Sequence, residues 1–256
     1  MSGFATFWLV FTTHLRRMLW SKRFFLMAVA SVIPALPILL VGLRLGGERQ
    51  VLLMTHVAWF LMFQVIAPVI SLIGGTAAVA EEVADGTINW VLVRPVSRPA
   101  FFLARWLSVM LPVVLAGSLG VGCMVMASRG SSVVAIGLGK DIWGALTAGL
   151  FTYTTVFAAI GAWFKRPVIV GLGYAFAMEA LLANLPGTTP ELSIVHLIRS
   201  VAADAGAVWR AGVVNETGIK VIAGADALEQ LLILAASALV IGCVATRRRQ
   251  FGLTVG

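Results

Sequence analysis

Long apolar runs are the feature that most constrains how this chain can fold. About six runs of 18 or more residues carry almost no charge, and about 20 helical residues at 1.5 Å rise cross a hydrocarbon core of roughly 30 Å. Hydrophobic residues make up 60% of the 256 residues and charged residues only 12%, which excludes an ordinary water-soluble domain. The sequence therefore predicts an all-α integral membrane protein with six transmembrane helices. The six runs cover about residues 24–43, 51–80, 101–128, 142–164, 168–185 and 227–245.

The segments outside these runs complete the predicted organisation. Residues 1–23 repeat bulky apolar groups at helical spacing, which predicts an amphipathic helix in the membrane interface. Residues 24–246 form the six-span domain, in which Pro34 and Pro37 should bend the first span. Residues 247–256 form a cytoplasmic tail.

The longest polar interval, residues 186–226, separates the fifth and sixth runs. Within it Thr189 and Pro190 resemble a helix cap and a first helical position. Apolar residues then recur at helical spacing from Ile194 to Ala205. This pattern predicts a re-entrant or interfacial helix on the outer side.

The positions of the Lys and Arg residues orient the spans. If both termini are cytoplasmic, the inner segments carry twelve of the nineteen Lys and Arg residues and the outer segments carry seven. Basic residues concentrate on the cytoplasmic side of membrane proteins, so this excess favours the termini-in arrangement. The net charge of +8 lies at the ends of spans, which indicates contact with anionic membrane lipid and not with nucleic acid.

One acidic stretch, residues 81–98, interrupts the apolar sequence between the second and third runs. Its acids follow a predicted helix at the carboxyl end, where the helix dipole disfavours negative charge, so something other than helix stability must favour them. Gly86 can end that helix, Thr87 can cap a new short helix, and the Arg94–Pro95 pair must stop it. The apolar residues Ile88, Val91 and Leu92 share one face of this short helix. An ordinary solvated acidic turn is the alternative interpretation.

The stretch EEVADGTINWVLVRPVSRPAFFLARW resembles the signature region of ABC-2-type permeases, the membrane subunits of many bacterial ATP-binding cassette transporters. The pattern is similar over about twenty residues, while the order of spans, the amphipathic start and the outer re-entrant segment resemble the family over the whole chain. The residues that match are Glu82, Gly86, Thr87, Leu92, Pro95, Ser97 and Arg98.

The resemblance implies a function and a set of partners. It implies a permease subunit, with an exporter as the expected type, in the bacterial cytoplasmic (inner) membrane, where it pairs with a second copy or a homologous subunit. Cytoplasmic ABC ATPase subunits would bind ATP and Mg and hydrolyse ATP, so this chain would hold no cofactor and would not itself be an enzyme. The short helix would be a coupling helix that docks into the ATPase. The expected coupling residues are Glu81, Glu82, Asp85, Gly86, Thr87, Ile88, Val91, Leu92 and Arg98.

Glu179 is the only acid well inside an apolar run. An intramembrane carboxyl costs about 2.5 to 3.5 kcal/mol on insertion scales, so it should face protein or water. A role in the substrate pathway or in a proton relay is one hypothesis, and a structural hydrogen bond is the other. The first would suit a proton-coupled secondary transporter, although the two halves of the chain show no convincing inverted repeat.

Other chemistry has little support in the sequence. His14, His56 and His196 are scattered, and no Cys or His pair has metal-ligand spacing, so we expect no metal site. The fragment Gly137–Asp141 resembles a phosphate loop but lacks its first glycine and its Ser or Thr. The Ser and His residues lie in unrelated segments, which disfavours an intramembrane hydrolase.

Overall fold

The computed structural model describes residues 3–42, 44, 47–84, 97–128, 132–179, 193–209, 213–215 and 220–248. Over these residues the chain is helical and contains no strand, as predicted. Five helices there are long and apolar enough to cross a membrane, so the protein has the composition of a multi-pass membrane protein. In chain order the elements are α1 (Gly3–Leu19), α2 (Lys22–Val32), α3 (Ala35–Gly42), α4 (Gly47–Val57), π1 (Ala58–Ile66), α5 (Ala67–Ala84), α6 (Arg98–Ala127), α7 (Ser132–Trp163), α8 (Pro167–Gly173), π2 (Tyr174–Met178), α9 (Ile194–Ala205), α10 (Ala207–Trp209) and α11 (Gly224–Arg248).

The first span is broken where proline predicts it. Helix α2 begins after Ser21, whose side chain accepts a hydrogen bond from the Phe24 amide, and it ends before Pro34, which cannot donate a backbone hydrogen bond. Helix α3 then continues with Pro37 inside it. Together α2 and α3 form one membrane-length segment, Lys22–Val41.

The second span is the longest continuous helical segment, and it contains an unexpected change of pitch. It runs from α4 through π1 into α5, and its apolar part covers 30 residues, from Arg49 to Ala78. The nine residues of π1 form a wider helical turn than an α-helix, and such stretches often mark functional sites. The apolar periodicity did not predict this turn.

The third span agrees closely with the prediction, whereas the fourth span begins earlier than predicted. Helix α6 contains 30 residues with Pro112 inside it, close to the predicted run. Helix α7 starts at Ser132, ten residues before the predicted start at 142. The additional turns bury Ala135 and Leu138. Lys140 and Asp141, which follow them, interrupt the apolar run from which the start at 142 was predicted.

The fifth predicted span, residues 168–185, is not established as a membrane-crossing helix, because it is only partly described. Its described part comprises the short helix α8, then π2, and then Glu179, which together are shorter than a bilayer-spanning helix. Residues 180–192 lie outside the described residues. Helix α9 follows the predicted periodicity, but its N-cap is Ser193, so the proposed cap at Thr189 is wrong for this helix.

Small residues let the helices pack closely. A β-carbon on Gly75 of α5 would lie 2.7 Å from the carbonyl oxygen of Thr154 in α7. A β-carbon on Gly120 of α6 would overlap the backbone of Ser31 in α2. Gly173, in contrast, has open space where a β-carbon would lie. Small-residue faces at Gly75 and Gly120 therefore serve packing within this chain, as expected for helices in lipid.

Candidate functional site

The structure describes the two ends of the predicted coupling stretch but not the residues between them. Helix α5 continues to Ala84, so the backbone of Glu81 and Glu82 is helical, while their side chains are not described. Asp85, Gly86, Thr87, Ile88, Val91 and Leu92 lie outside the described residues. The chain is described again at Ser97, whose extended backbone precedes the first turn of α6.

Arg105 connects the two helices that carry this stretch. It lies in α6 with only 3% of its surface exposed, and its Nε donates a 2.7 Å hydrogen bond to the carbonyl of Ala78 in α5. Its guanidinium also lies over the Phe101 ring, 6.0 Å from the centroid. A buried charge of this kind is retained only when its contacts are made, so Arg105 holds α5 and α6 at a defined separation.

The interfacial helix α1 joins the same cluster through His14. The Ser108 hydroxyl donates to the Arg105 carbonyl at 2.7 Å, so the 2.6 Å contact between His14 Nδ1 and Ser108 Oγ requires the histidine nitrogen to donate. Burial lowers the pKa of His14 to about 3, and the charges of Arg105, Arg17 and Arg23 act in the same direction. His14 is therefore neutral at physiological pH, and it fixes α1 against α6.

Arg98 provides a third connection, to the last helix. Its guanidinium donates a 3.3 Å hydrogen bond to the carbonyl of Arg247 near the end of α11. The first turn of α6 is thereby tied to the last turn of α11. Helices α1, α5, α6 and α11 thus meet at the end of the bundle from which the acidic stretch extends, and we name His14, Ala78, Arg98, Arg105 and Ser108 the basal cluster.

Glu179 lies in a second cluster, deep in the bundle. Its carboxyl group accepts hydrogen bonds from the Ser193 hydroxyl at 2.5 Å, from the Ile194 amide at 3.2 Å and from the Val195 amide at 3.5 Å. The Ser193 hydroxyl also accepts from the His196 amide at 3.3 Å. Glu179, 4% exposed, therefore caps the positive end of α9 and satisfies backbone amides that would otherwise be buried without partners.

Arg199 is the basic member of this second cluster. It lies in α9, and its Nη2 donates to the backbone carbonyl of Trp59 at 3.1 Å and to Gln64 Oε1 at 2.7 Å. Both acceptors belong to π1. The guanidinium also lies 5.2 Å from the centre of the Trp59 ring. The wide turn of π1 therefore supplies the polar groups that hold a buried arginine, as its departure from α-geometry allows.

Aromatic side chains close this second cluster. Tyr153 of α7 stacks on Phe157 with 5.8 Å between centroids, and Phe157 meets Tyr174 of π2 edge-on at 6.1 Å. Trp209 packs against Trp59 at 5.9 Å. Tyr153 lies about 15 Å along α7 from Trp163, near the middle of a membrane span. We name Glu179, Ser193, Arg199, Gln64 and Tyr153 the central cluster.

The geometry of the central cluster favours the structural hypothesis for Glu179. Its carboxyl group accepts hydrogen bonds from the Ser193 hydroxyl and from the first amides of α9, which is the arrangement of a helix cap. The cluster can hold helix α9 against π1 and α7.

Sequence reasoning missed most of these partners. Ser193 could have been found, because it directly precedes the first periodic apolar residue of α9, which is the position of an N-cap. Arg199 entered the prediction only as an outer charge and Arg105 only as an inner one, while His14 was only one of three scattered histidines. Within the described part of the chain, no group of three or more His, Cys, Asp or Glu residues is placed to bind a metal ion.

Comparison with known proteins gives no family assignment. No protein-family model matches the sequence, and no curated protein matches it.

Proposed function

We propose that this protein is the permease subunit of an ATP-binding cassette exporter, driven by separate cytoplasmic ATPase subunits. The observation that carries the proposal is the motif-bearing stretch 81–98, placed between two long helices of the bundle. Two copies, or one copy and a homologous subunit, enclose the pathway, because a single bundle of this size encloses little. ATP and Mg bind to the ATPase subunits.

The basal cluster supports this proposal in mechanical terms. A force applied to the coupling stretch reaches α5 and α6 directly, and Arg105 and Ala78 join these two helices at their shared end. His14 and Arg98 extend the same connection to α1 and α11. Movement of a docked ATPase would therefore displace several helices together, which is the rigid-body motion that alternating access requires.

The test is ATP hydrolysis by candidate ABC ATPase subunits from the same cell, reconstituted in nanodiscs with and without this chain. We expect stable binding of the ATPase only when the chain is present, and a rate of hydrolysis that differs from that of the free ATPase. Absence of binding, with the chain folded and inserted, would contradict the proposal. Neither measurement requires the transported substrate to be known.

A proton-coupled secondary transporter that uses Glu179 is the alternative, because a buried carboxyl group occurs inside an apolar segment. Vesicles that contain the chain alone and an internal pH-sensitive dye distinguish the two functions. Proton movement that occurs without an ATPase and is lost in Glu179→Gln would establish the alternative. Proton-tight vesicles favour the ATP-driven function.

A further inference from the structure

An apolar groove of about 500 Å³ lies between helices α7 and α11. Its α7 wall extends from Val156 to Phe164, and its α11 wall extends from Leu234 to Ile241. The side chains at its floor are small, including Ala159 and Ala238. The two helices are in contact next to one end of the groove, where the Thr152 hydroxyl donates a 3.2 Å hydrogen bond to the carbonyl of Leu231. The groove is therefore closed at one end and open along the side of the bundle.

The dimensions of the groove suit one hydrocarbon chain. From Val156 to Phe164 it extends about 12 Å along α7, and one leaflet of the hydrocarbon core is about 15 Å thick. Helix α11 is a peripheral helix, with only 28% of its apolar window buried. The groove therefore faces the surroundings of the bundle and not its interior.

Two exposed basic residues directly follow the α7 wall of the groove in the sequence. Trp163 and Phe164 line the last part of the groove on the α7 side, and their side chains are 52% and 43% exposed. The exposed Lys165 and Arg166 follow directly in the sequence. The sequence contains no Asp or Glu between Asp141 and Glu179, nor after Glu229. The two segments that form the groove thus carry basic residues and no acidic residue near this end, next to an amphipathic tryptophan, which is the composition of a membrane interface.

We infer that this groove binds one acyl chain of an anionic phospholipid, whose phosphate is held by Lys165 and Arg166. A second copy of the chain is the less suitable occupant. A two-fold interface brings the same surface of both copies together, so it would place these cations near their symmetry mates. A phosphate neutralises them, and an acyl chain covers the apolar walls. This inference concerns lipid recognition and does not depend on the ATP-driven function.

The experiment measures the lipids retained by the purified chain after incubation in phosphatidylcholine nanodiscs that contain a minor fraction of phosphatidylglycerol. Native mass spectrometry should detect retained phosphatidylglycerol above its share of the bilayer. Replacing both cations, in Lys165→Ala with Arg166→Ala, should reduce the preference for phosphatidylglycerol about tenfold or more. Lys22→Ala with Arg23→Ala removes the same charge at the start of α2, which contributes no residue to the groove lining, and should reduce the preference much less.

A second pair of variants tests the acyl chain. Ser237→Phe fills the groove and should abolish retention, whereas Ala236→Phe adds the same volume at the neighbouring exposed position and should not. Phospholipids with brominated acyl chains should quench a fluorescence component of the wild type that is missing in Trp163→Phe. Unchanged retention in Ser237→Phe, or an equal effect of the two charge variants, would overturn the inference. A change of oligomeric state in Ser237→Phe alone would instead assign the groove to a second copy.

Discussion

The basal and central clusters both bury arginine, yet they differ in what their polar groups do. In the central cluster Glu179 caps the start of α9 and Arg199 bonds the wide turn π1, and both side chains are buried. In the basal cluster Arg105, Arg98 and His14 connect four helices at the end that carries the acidic stretch. The comparison indicates that the central cluster fixes the position of α9, whereas the basal cluster connects the helices that would move together under the proposed function.

The largest loss of stability should follow removal of the Glu179 carboxyl group. In Glu179→Ala the Ser193 hydroxyl and the Ile194 amide lose their buried acceptor, which costs about 3 kcal/mol or more of unfolding free energy. Glu179→Gln keeps one acceptor oxygen and should lose about half as much. Thermal unfolding in detergent measures both variants. Equal stability of Glu179→Ala and the wild type would refute the capping role.

Arg199→Ala should lower the free energy of unfolding by nearly as much, about 2 to 4 kcal/mol, because it removes two hydrogen bonds to π1 and leaves a cavity beside Trp59. Lys220→Ala, which removes an exposed cation between α10 and α11, should stay within about 0.5 kcal/mol of the wild type. The same unfolding assay separates them, and a similar effect of both substitutions would show that only charge matters.

The basal cluster should respond to pH through His14. Because its pKa is lowered to about 3 in the folded protein, the unfolded chain takes up a proton below about pH 6.5 that the folded chain does not. The contribution of His14 is therefore complete above pH 6.5 and is lost as the pH falls towards 3, by up to about 1.4 kcal/mol for each pH unit. Unfolding measured across this range should be less pH-dependent in His14→Asn; an identical pH profile would refute the assignment.

Arg105→Met should lower the free energy of unfolding by about 1.5 to 3 kcal/mol, since it loses a charged hydrogen bond to Ala78. This is less than for the central-cluster variants, because methionine keeps most of the buried volume. Arg98→Ala should cost under about 1 kcal/mol, since its 3.3 Å contact is longer and partly exposed. If the basal cluster transmits movement, Arg105→Met should impair coupling to the ATPase more than its stability loss explains. A coupling loss no greater than that of Arg199→Ala, which weakens the central cluster, would remove this distinction between the clusters.

Hydrophobic periodicity and proline positions predicted the long helices and the main break between them. The long helices, the break at Pro34 and the helix from Ile194 follow from apolar runs, from the missing proline amide and from helical spacing. The wide turn π1 was not predictable, because nothing in its apolar residues distinguishes it from α-helix and its carbonyls are used by Arg199, 135 residues away from Gln64. Likewise, the partners of Glu179 and Arg105 are brought together by packing, which no local pattern encodes.

The most direct test of the central claim is the ATP hydrolysis of the reconstituted complex with a substituted coupling stretch. Glu82→Ala and Gly86→Val should abolish most of the change in hydrolysis that the chain produces, while insertion into the membrane is unaffected. Glu229→Ala and Gly122→Val are the matched controls, because Glu229 is exposed and a β-carbon on Gly122 would meet no atom within 4 Å. The controls should behave as the wild type. Wild-type hydrolysis in both Glu82→Ala and Gly86→Val would contradict the account.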